Sequence, residues 1–366
     1  MHSASLISLR SSCELARWSL PDSAGTGKQR GPAMTSNMLG IGLALTGGLL
    51  VGNCMLPLRR IRRWPWECSW LVFSIVSLAV VPCLSAWIAL PHWPAIYLST
   101  NPSALLPPFL LGMGWGVAQV LFGLAVVRLG MALGFTLIVG LGTIFGTLIP
   151  FFAHHESNVS SKSTIMLFTA CALMVLGVVL SGWAGRLREA PTATEQSTSY
   201  GAGLLIAVIA GVLSSMLNLS LSFGHPLAQA ALRNGAAPAF AVLAVWPIAL
   251  AGGLIPNAGY SLYLLARHRT WSRFKPLSPD LSLSILMGLL WITAVGVYGL
   301  ATYQLGRFGD SAGWAIYQVT MVVTACAVGV LTGEWKSASR SSMFVFGLGI
   351  LALTTSVVMA AGSTKT

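Results

Sequence analysis

Ten apolar runs, each long enough to cross a bilayer, dominate this chain of 366 residues. Crossing the hydrocarbon core takes about 20 mostly apolar residues in a helix. Apolar segments near this length recur here over 37–58, 67–90, 103–127, 132–152, 163–183, 200–222, 239–266, 281–303, 311–331 and 341–361. In hydrocarbon every backbone N–H and C=O must find a partner inside the protein, so only helices and closed barrels span it. The alternating pattern of a barrel strand is absent, and the expectation is an all-α polytopic membrane protein. Composition agrees: 8% of residues are charged and the mean hydropathy is +0.76, against about 25% charged in a soluble domain.

The formal net charge of +12 does not point to nucleic acid, because the basic residues sit in short clusters between apolar runs rather than on one face. Counting Lys and Arg by connection, those after the odd-numbered helices hold 13 and those after the even-numbered ones hold 3. The positive-inside rule then puts the odd connections in the cytoplasm and both chain ends outside. Residues 1–36 are polar and carry Arg10, Arg17, Lys28 and Arg30, four charges that would have to cross. We read them as a disordered extension or as sequence upstream of a start at Met34 or Met38. The six cysteines, Cys13, Cys54, Cys68, Cys83, Cys171 and Cys326, are scattered and form no C-x-x-C. They suit apolar packing better than disulfides or a metal.

A polar linker over 184–199, with Pro191, Glu189 and Glu195, divides the chain into 37–183 and 200–361, leaving 362–366 as a tail. The halves match each other. Residues 112–130 read GMGWGVAQVLFGLAVVRLG and residues 288–306 read GLLWITAVGVYGLATYQLG, an offset of 176 that pairs Trp115 with Trp291. The same offset pairs Trp70 with Trp246. Glycine and alanine matches are cheap in membrane helices, whereas tryptophans in a constant frame are not. Five helices per half is odd, so the second half enters the membrane inverted. Inverted repeats have two near-equivalent packings, the physical basis of alternating access in carriers.

All nine acidic residues fall in predicted connections, tails or helix ends, and no Lys or Arg sits mid-helix. A charge at the bilayer centre costs at least about 2.5–3.5 kcal/mol and usually marks an ion path, so the expected cargo is uncharged. No nucleophile–base set, phosphate loop or metal cluster appears, which argues against an enzyme and against a cofactor. The helices hold amides and aromatics instead. Trp115, Gln119 and Phe122 stand at i, i+4 and i+7 on one helix face; Trp291 and Tyr298 take the matching face of the eighth helix; Trp314 and Gln318 share a face of the ninth. Asn53, Asn218 and Asn257 add donors and acceptors. Amides satisfy sugar hydroxyls, and aromatic rings lie against sugar C–H faces. These ten residues are the candidate substrate-binding set, with helix packing as the alternative role for each. The glycines of the fourth helix, Gly134, Gly140, Gly142 and Gly146, are read as close-packing positions, and Glu67 as a partner of the neighbouring arginines.

RRWPWE with its following aromatics (62–70), LLPPFLLGMGWGVAQVLFGLAVVRLGMALGF (105–135) and GEW (333–335) together resemble the L-rhamnose–proton symporter family of the drug/metabolite transporter superfamily. The resemblance covers 38–361 and implies ten helices in two inverted repeats and proton-driven uptake of a deoxy sugar across a bacterial cytoplasmic membrane. It carries over Trp66, Glu67, Trp70, Trp115, Gly116, Arg128 and Glu334 as motif positions. No titratable group lies deep in a predicted helix, so Glu67, Asp310 and Glu334 are the proton-coupling candidates from interfaces. An exporter of another small neutral solute is the alternative within the superfamily.

Overall fold

The computed structural model describes residues 32–129, 131–153, 161–188, 197–274, 278–333, 335–336 and 338–364. Among them every regular element is helical, and ten helices are long and apolar enough to cross a membrane. We number these α1 (Asn37–Arg60), α2 (Trp66–Ala89), α3 (Pro102–Leu129), α4 (Gly134–Ala153), α5 (Ser161–Arg188), α6 (Gly201–Arg233), α7 (Pro238–His268), α8 (Pro279–Leu305), α9 (Ala312–Leu331) and α10 (Arg340–Ser363). Their number and order are those expected from the apolar runs. Large apolar side chains such as Trp87, Ile88, Leu98, Val127, Ile165, Phe344 and Val358 remain exposed. Outward-facing apolar residues suit a lipid solvent and would be a liability in water.

Three local features differ from the sequence expectation. The sixth helix does not stop at Ser222 but continues to Arg233 in three pieces, Ser197–Ser214, Met216–Ser222 and His225–Arg233. At 1.5 Å per residue a straight helix of that length would overrun the ~30 Å core; the interruptions at Ser215 and Gly224 let it bend. Pro226 then sits in the first turn of the last piece, where its missing N–H is harmless. Between α2 and α3 lies a short helix, Trp93–Leu98. Within α2 a π turn runs over Val76–Val80, just before Pro82; proline removes an i→i−4 donor and π turns are common beside such breaks.

Packing is set by small residues. Gly112 and Gly116 of α3 form a G-x-x-x-G pair that meets Gly252 and Gly253 of α7. A Cβ on Gly112 would collide with the Ala249 carbonyl, and one on Gly252 with the Phe109 carbonyl, so the contact is backbone on backbone from both sides. Close approach of this kind is how helices gain dispersion energy in lipid, where no hydrophobic force joins them. Beyond α3 with α7, the main neighbours are α1 with α8 and α9, α6 with α3 and α4, α2 with α8 and α7, α4 with α5, α9 with α10, and α5 with α10. Exchanging α1–α5 for α6–α10 in order leaves this set of pairs unchanged. The central core, containing Phe73, Trp115, Trp246, Trp291, Tyr298, Trp314 and Tyr317, lies where α2, α3, α7, α8 and α9 converge.

Candidate substrate and proton site

Two constellations meet on α8, the first running inward from the exposed Trp66 and the second buried. The first is a seam of aromatic rings. On α2, Trp66, Trp70 and Phe73 follow i, i+4, i+7 spacing and so share one face. Trp66 stacks on Trp70 with ring centres 5.0 Å apart, and Trp70 packs at a tilt against Phe73 at 4.8 Å. Phe73 meets Trp291 edge-on at 6.1 Å, and Trp291 stacks on Trp115 at 5.2 Å. The two tryptophans matched across the halves are therefore in direct contact. The Trp115 ring also rests on Gly253 of α7, where a Cβ would be 3.0 Å away. Asn257 serves this seam: its Oδ1 accepts from Trp70 Nε1 at 3.0 Å while its Nδ2 donates to the Gly253 carbonyl at 2.9 Å.

Two helical turns along α8 the character changes. The Tyr298 hydroxyl donates to Asn218 Oδ1 at 2.6 Å, and Asn218 Nδ2 donates to the carbonyls of Gly146 (2.8 Å) and Asp310 (2.6 Å). Ser222 Oγ donates to Asp310 Oδ2 at 2.6 Å. Asn218 and Tyr298 are 0% and 1% exposed, and Asp310 is 9% exposed. One amide thus ties α4, α6, α8 and the turn before α9 together, and every arm ends on a buried partner, as buried polar groups require. The Tyr298 ring packs on Tyr317 at 4.8 Å and edge-on to Trp314 at 5.4 Å. Among the described residues the Trp314 indole nitrogen has no hydrogen-bond partner, nor has the buried Thr147 hydroxyl. That indole lies against Gly146, where a Cβ would collide with it. A buried donor left unpaired costs about 1–3 kcal/mol.

The structure brings together Trp115, Trp291 and Asn257 in the seam, and Asn218, Tyr298, Trp314 and Asp310 in the polar knot. It separates others. Phe122 keeps its place on that face but not the company of Trp115 and Trp291: it packs edge-on to Phe135 of α4 at 6.2 Å, among Leu121, Ala125 and Ile138. The physical reason is helix crossing: the same side of α3 meets α7 and α8 at Trp115 but α4 and α6 further along. Asn53 returns its Nδ2 to the Leu49 carbonyl of its own helix at 2.8 Å. Gln119 and Gln318 are half-buried, with no hydrogen bond among the described residues. Glu334, His154 and His155 lie outside the described residues. Of the four helix α4 glycines, Gly142 and Gly146 are in close approach, to Ser214 and Trp314, while Gly140 finds only ordinary contact with Val178.

Glu67 does not pair with its neighbouring arginines. Its Oε1 accepts from Thr270 Oγ1 at 2.8 Å and lies 3.3 Å from His268 Nδ1, both at the end of α7. Ser222 was missed from sequence, although it stands four residues from Asn218 and so on the same helix face. Asp280 and Thr270 were missed too, because their partners are some two hundred residues away.

Chemically, the arrangement offers an aromatic slab for an apolar face, amide and hydroxyl groups for polar substituents, and the buried carboxylate of Asp310. Among the described residues of the seam and the knot no nucleophile is paired to a base. Among the described residues no group of His, Cys, Asp and Glu could hold a metal ion.

The family model described as L-rhamnose-proton symport protein (RhaT) matches residues 34–363. An L-rhamnose-proton symporter of Klebsiella pneumoniae (strain 342) is 29% identical over 325 residues, covering 86% of this chain and 94% of that protein. The L-rhamnose-proton symporter of Cronobacter sakazakii (strain ATCC BAA-894) is 28% identical over 330 residues, covering 87% and 96%. A solved crystal structure with 16% identity covers 89% of this chain and 96% of its own, with a TM-score of 0.53, which is a likeness of fold.

Proposed function

We propose a mechanism from one premise: this chain belongs to the L-rhamnose-proton symport protein family. It is a secondary transporter that carries a neutral sugar, L-rhamnose or a related deoxy sugar, together with a proton. The relatives named above are bacterial proteins of the same length range, and the ten apolar helices place the chain as a multi-pass protein of a bacterial cytoplasmic membrane. The observation that carries the site is the face of α8 on which Trp291 and Tyr298 stand seven residues apart. One stacks in the aromatic seam and the other anchors the polar knot beside Asp310.

The sugar ring lies with its C–H face, and the methyl group of a deoxy sugar, against the Trp115–Trp291 slab, which gains apolar burial without demanding hydrogen bonds. Its hydroxyls take the amides and the unpaired Trp314 N–H when the helices part. The proton binds at Asp310. Ionised, this carboxylate accepts from Ser222; protonated, it loses the charge that makes a buried site costly to move across the membrane. Asp310 lies at the turn between α8 and α9, on the side with few basic connections, and so faces the compartment from which protons enter.

Alternating access follows from two halves, α1–α5 and α6–α10, related as inverted repeats. The constant offset of 176 residues and the set of packed pairs that survives exchange of the halves support this relation. Trp115 against Trp291 then lies on the pseudo-two-fold axis. No cofactor takes part; the partners are the sugar, the proton and the bilayer.

Uptake of labelled L-rhamnose into cells expressing the chain tests the reading. Accumulation that a protonophore abolishes is expected. Accumulation indifferent to the protonophore contradicts the coupling, and no uptake of any sugar contradicts the substrate class.

A further inference from the structure

Asp280 sits in the first turn of α8, 4% exposed, and its Oδ2 accepts from two backbone N–H groups of the connection between α1 and α2: Arg63 at 2.9 Å and Trp64 at 3.0 Å. Trp64 in turn stacks on Phe274, beyond the end of α7, with ring centres 4.8 Å apart. Beside them Glu67, 5% exposed, accepts from Thr270 and lies by His268. Arg59 Nη1 donates to Thr332 Oγ1 at the end of α9 at 2.7 Å. Every one of these contacts joins the first half of the chain to the second, and every one lies among the connections that carry the basic excess. They close over a small apolar plug of Trp64, Cys68, Leu71, Val72 and Leu265.

The opposite side is built differently. Under the offset of 176, the segment around Thr270 corresponds to the short helix Trp93–Leu98. There, among the described residues, the Tyr97 hydroxyl donates to the Ala244 carbonyl at 3.0 Å, amid Ile96, Ala241 and Leu227. Burial pushes the Tyr97 phenol up, so it remains a neutral donor. At Asp280 the clamp is a carboxylate on backbone N–H groups; at the place matching Thr270 on the other side it is a phenol on a carbonyl amid apolar packing.

We propose that Asp280, with Glu67 beside it, is the cytoplasmic gate latch of the carrier, holding the connection between α1 and α2 onto the ends of α7 and α8 in the state seen here. Asp280 acts as a positioning residue: it clamps backbone and need not touch the sugar. The chain cannot release cargo to the cytoplasm until these bonds break. A carboxylate suits the task, because hydrogen bonds to a charged acceptor are stronger than neutral ones yet are exchanged for water on opening. The latch rests on the carrier reading given above.

Cys68, 0% exposed and with a free thiol, lies within the plug and reports opening. The test uses the full chain with Cys68 as its sole cysteine, reconstituted in liposomes and treated with membrane-permeant N-ethylmaleimide. Asp280→Ala should speed alkylation of Cys68 by about tenfold or more, since it removes two hydrogen bonds to a charged group. Asp280→Asn keeps an oxygen acceptor and should give a smaller rise. An alkylation rate in Asp280→Ala equal to that of the parent overturns the latch. Should Asp280→Ala fail to fold, Thr270→Ala decides instead, faster alkylation supporting the latch and an unchanged rate overturning it. Adding L-rhamnose to the parent protein separates the two claims. A rate that responds to Asp280→Ala but to no sugar leaves the gate standing and removes the substrate reading.

Discussion

Replacing Asp310 with asparagine is expected to abolish concentrative uptake while sparing sugar exchange across the membrane. Asparagine keeps an oxygen that can accept from Ser222, and the Asp310 backbone carbonyl that receives Asn218 is untouched, so the knot survives. What is lost is the ability to gain and lose a proton. A potential of about 100 mV acting on one elementary charge is worth about 2.3 kcal/mol, which at about 1.4 kcal/mol per tenfold is on the order of fifty-fold in accumulation. Accumulation measured with labelled L-rhamnose should therefore fall by that order, whereas counterflow from preloaded vesicles continues. An Asp310→Asn protein that still concentrates sugar against its gradient would move the proton site elsewhere, with Glu67 and Glu334 as the remaining carboxylates of the sequence-based set.

Gly112→Val should prevent folding. A Cβ at Gly112 falls on the Ala249 carbonyl of α7, and Gly252 opposite is as tightly held by the Phe109 carbonyl. Neither obstacle is a flexible side chain, so relief requires α3 and α7 to move apart along their shared crossing. Overpacking a side-chain core costs about 1–3 kcal/mol, and a backbone clash on both sides of a helix pair exceeds that. The crossing also carries Trp115 on Gly253, so any relief displaces the Trp115–Trp291 stack. Size-exclusion chromatography and thermal melting in detergent check this, with Gly123→Ala as the control, because nothing lies within 4 Å of a Cβ there. A monodisperse Gly112→Val protein with a near-parental melting temperature would contradict the packing described.

Much of the architecture was legible because the bilayer is so restrictive a solvent. Apolar length alone located ten helices, and spacing by 176 residues singled out Trp115 and Trp291 before their contact was known. The apolar run ends the sixth helix at residue 222, whereas the helix bends at Gly224 and resumes over His225–Arg233, whose more polar residues an apolar-length reading does not count. Phe122 has other neighbours than expected for a different reason. Periodicity assigns a residue to a face, but the neighbour of that face changes along a crossed helix. Asn218 and Tyr298 were recognised as polar residues in apolar surroundings, yet the link from Asn218 to Asp310 was hidden, since it joins positions 92 residues apart on separate elements. Asp280 was invisible as a functional residue because its partners are main-chain N–H groups, which leave no trace in residue type.

Purified protein in liposomes loaded with a pH-sensitive dye gives the most direct measurement of the central claim. Adding L-rhamnose outside, with no other gradient, should acidify the lumen as sugar and proton enter together, and Asp310→Asn should remove that signal while labelled sugar still equilibrates. Sugar entry by the parent protein with no change in lumenal pH would contradict proton symport.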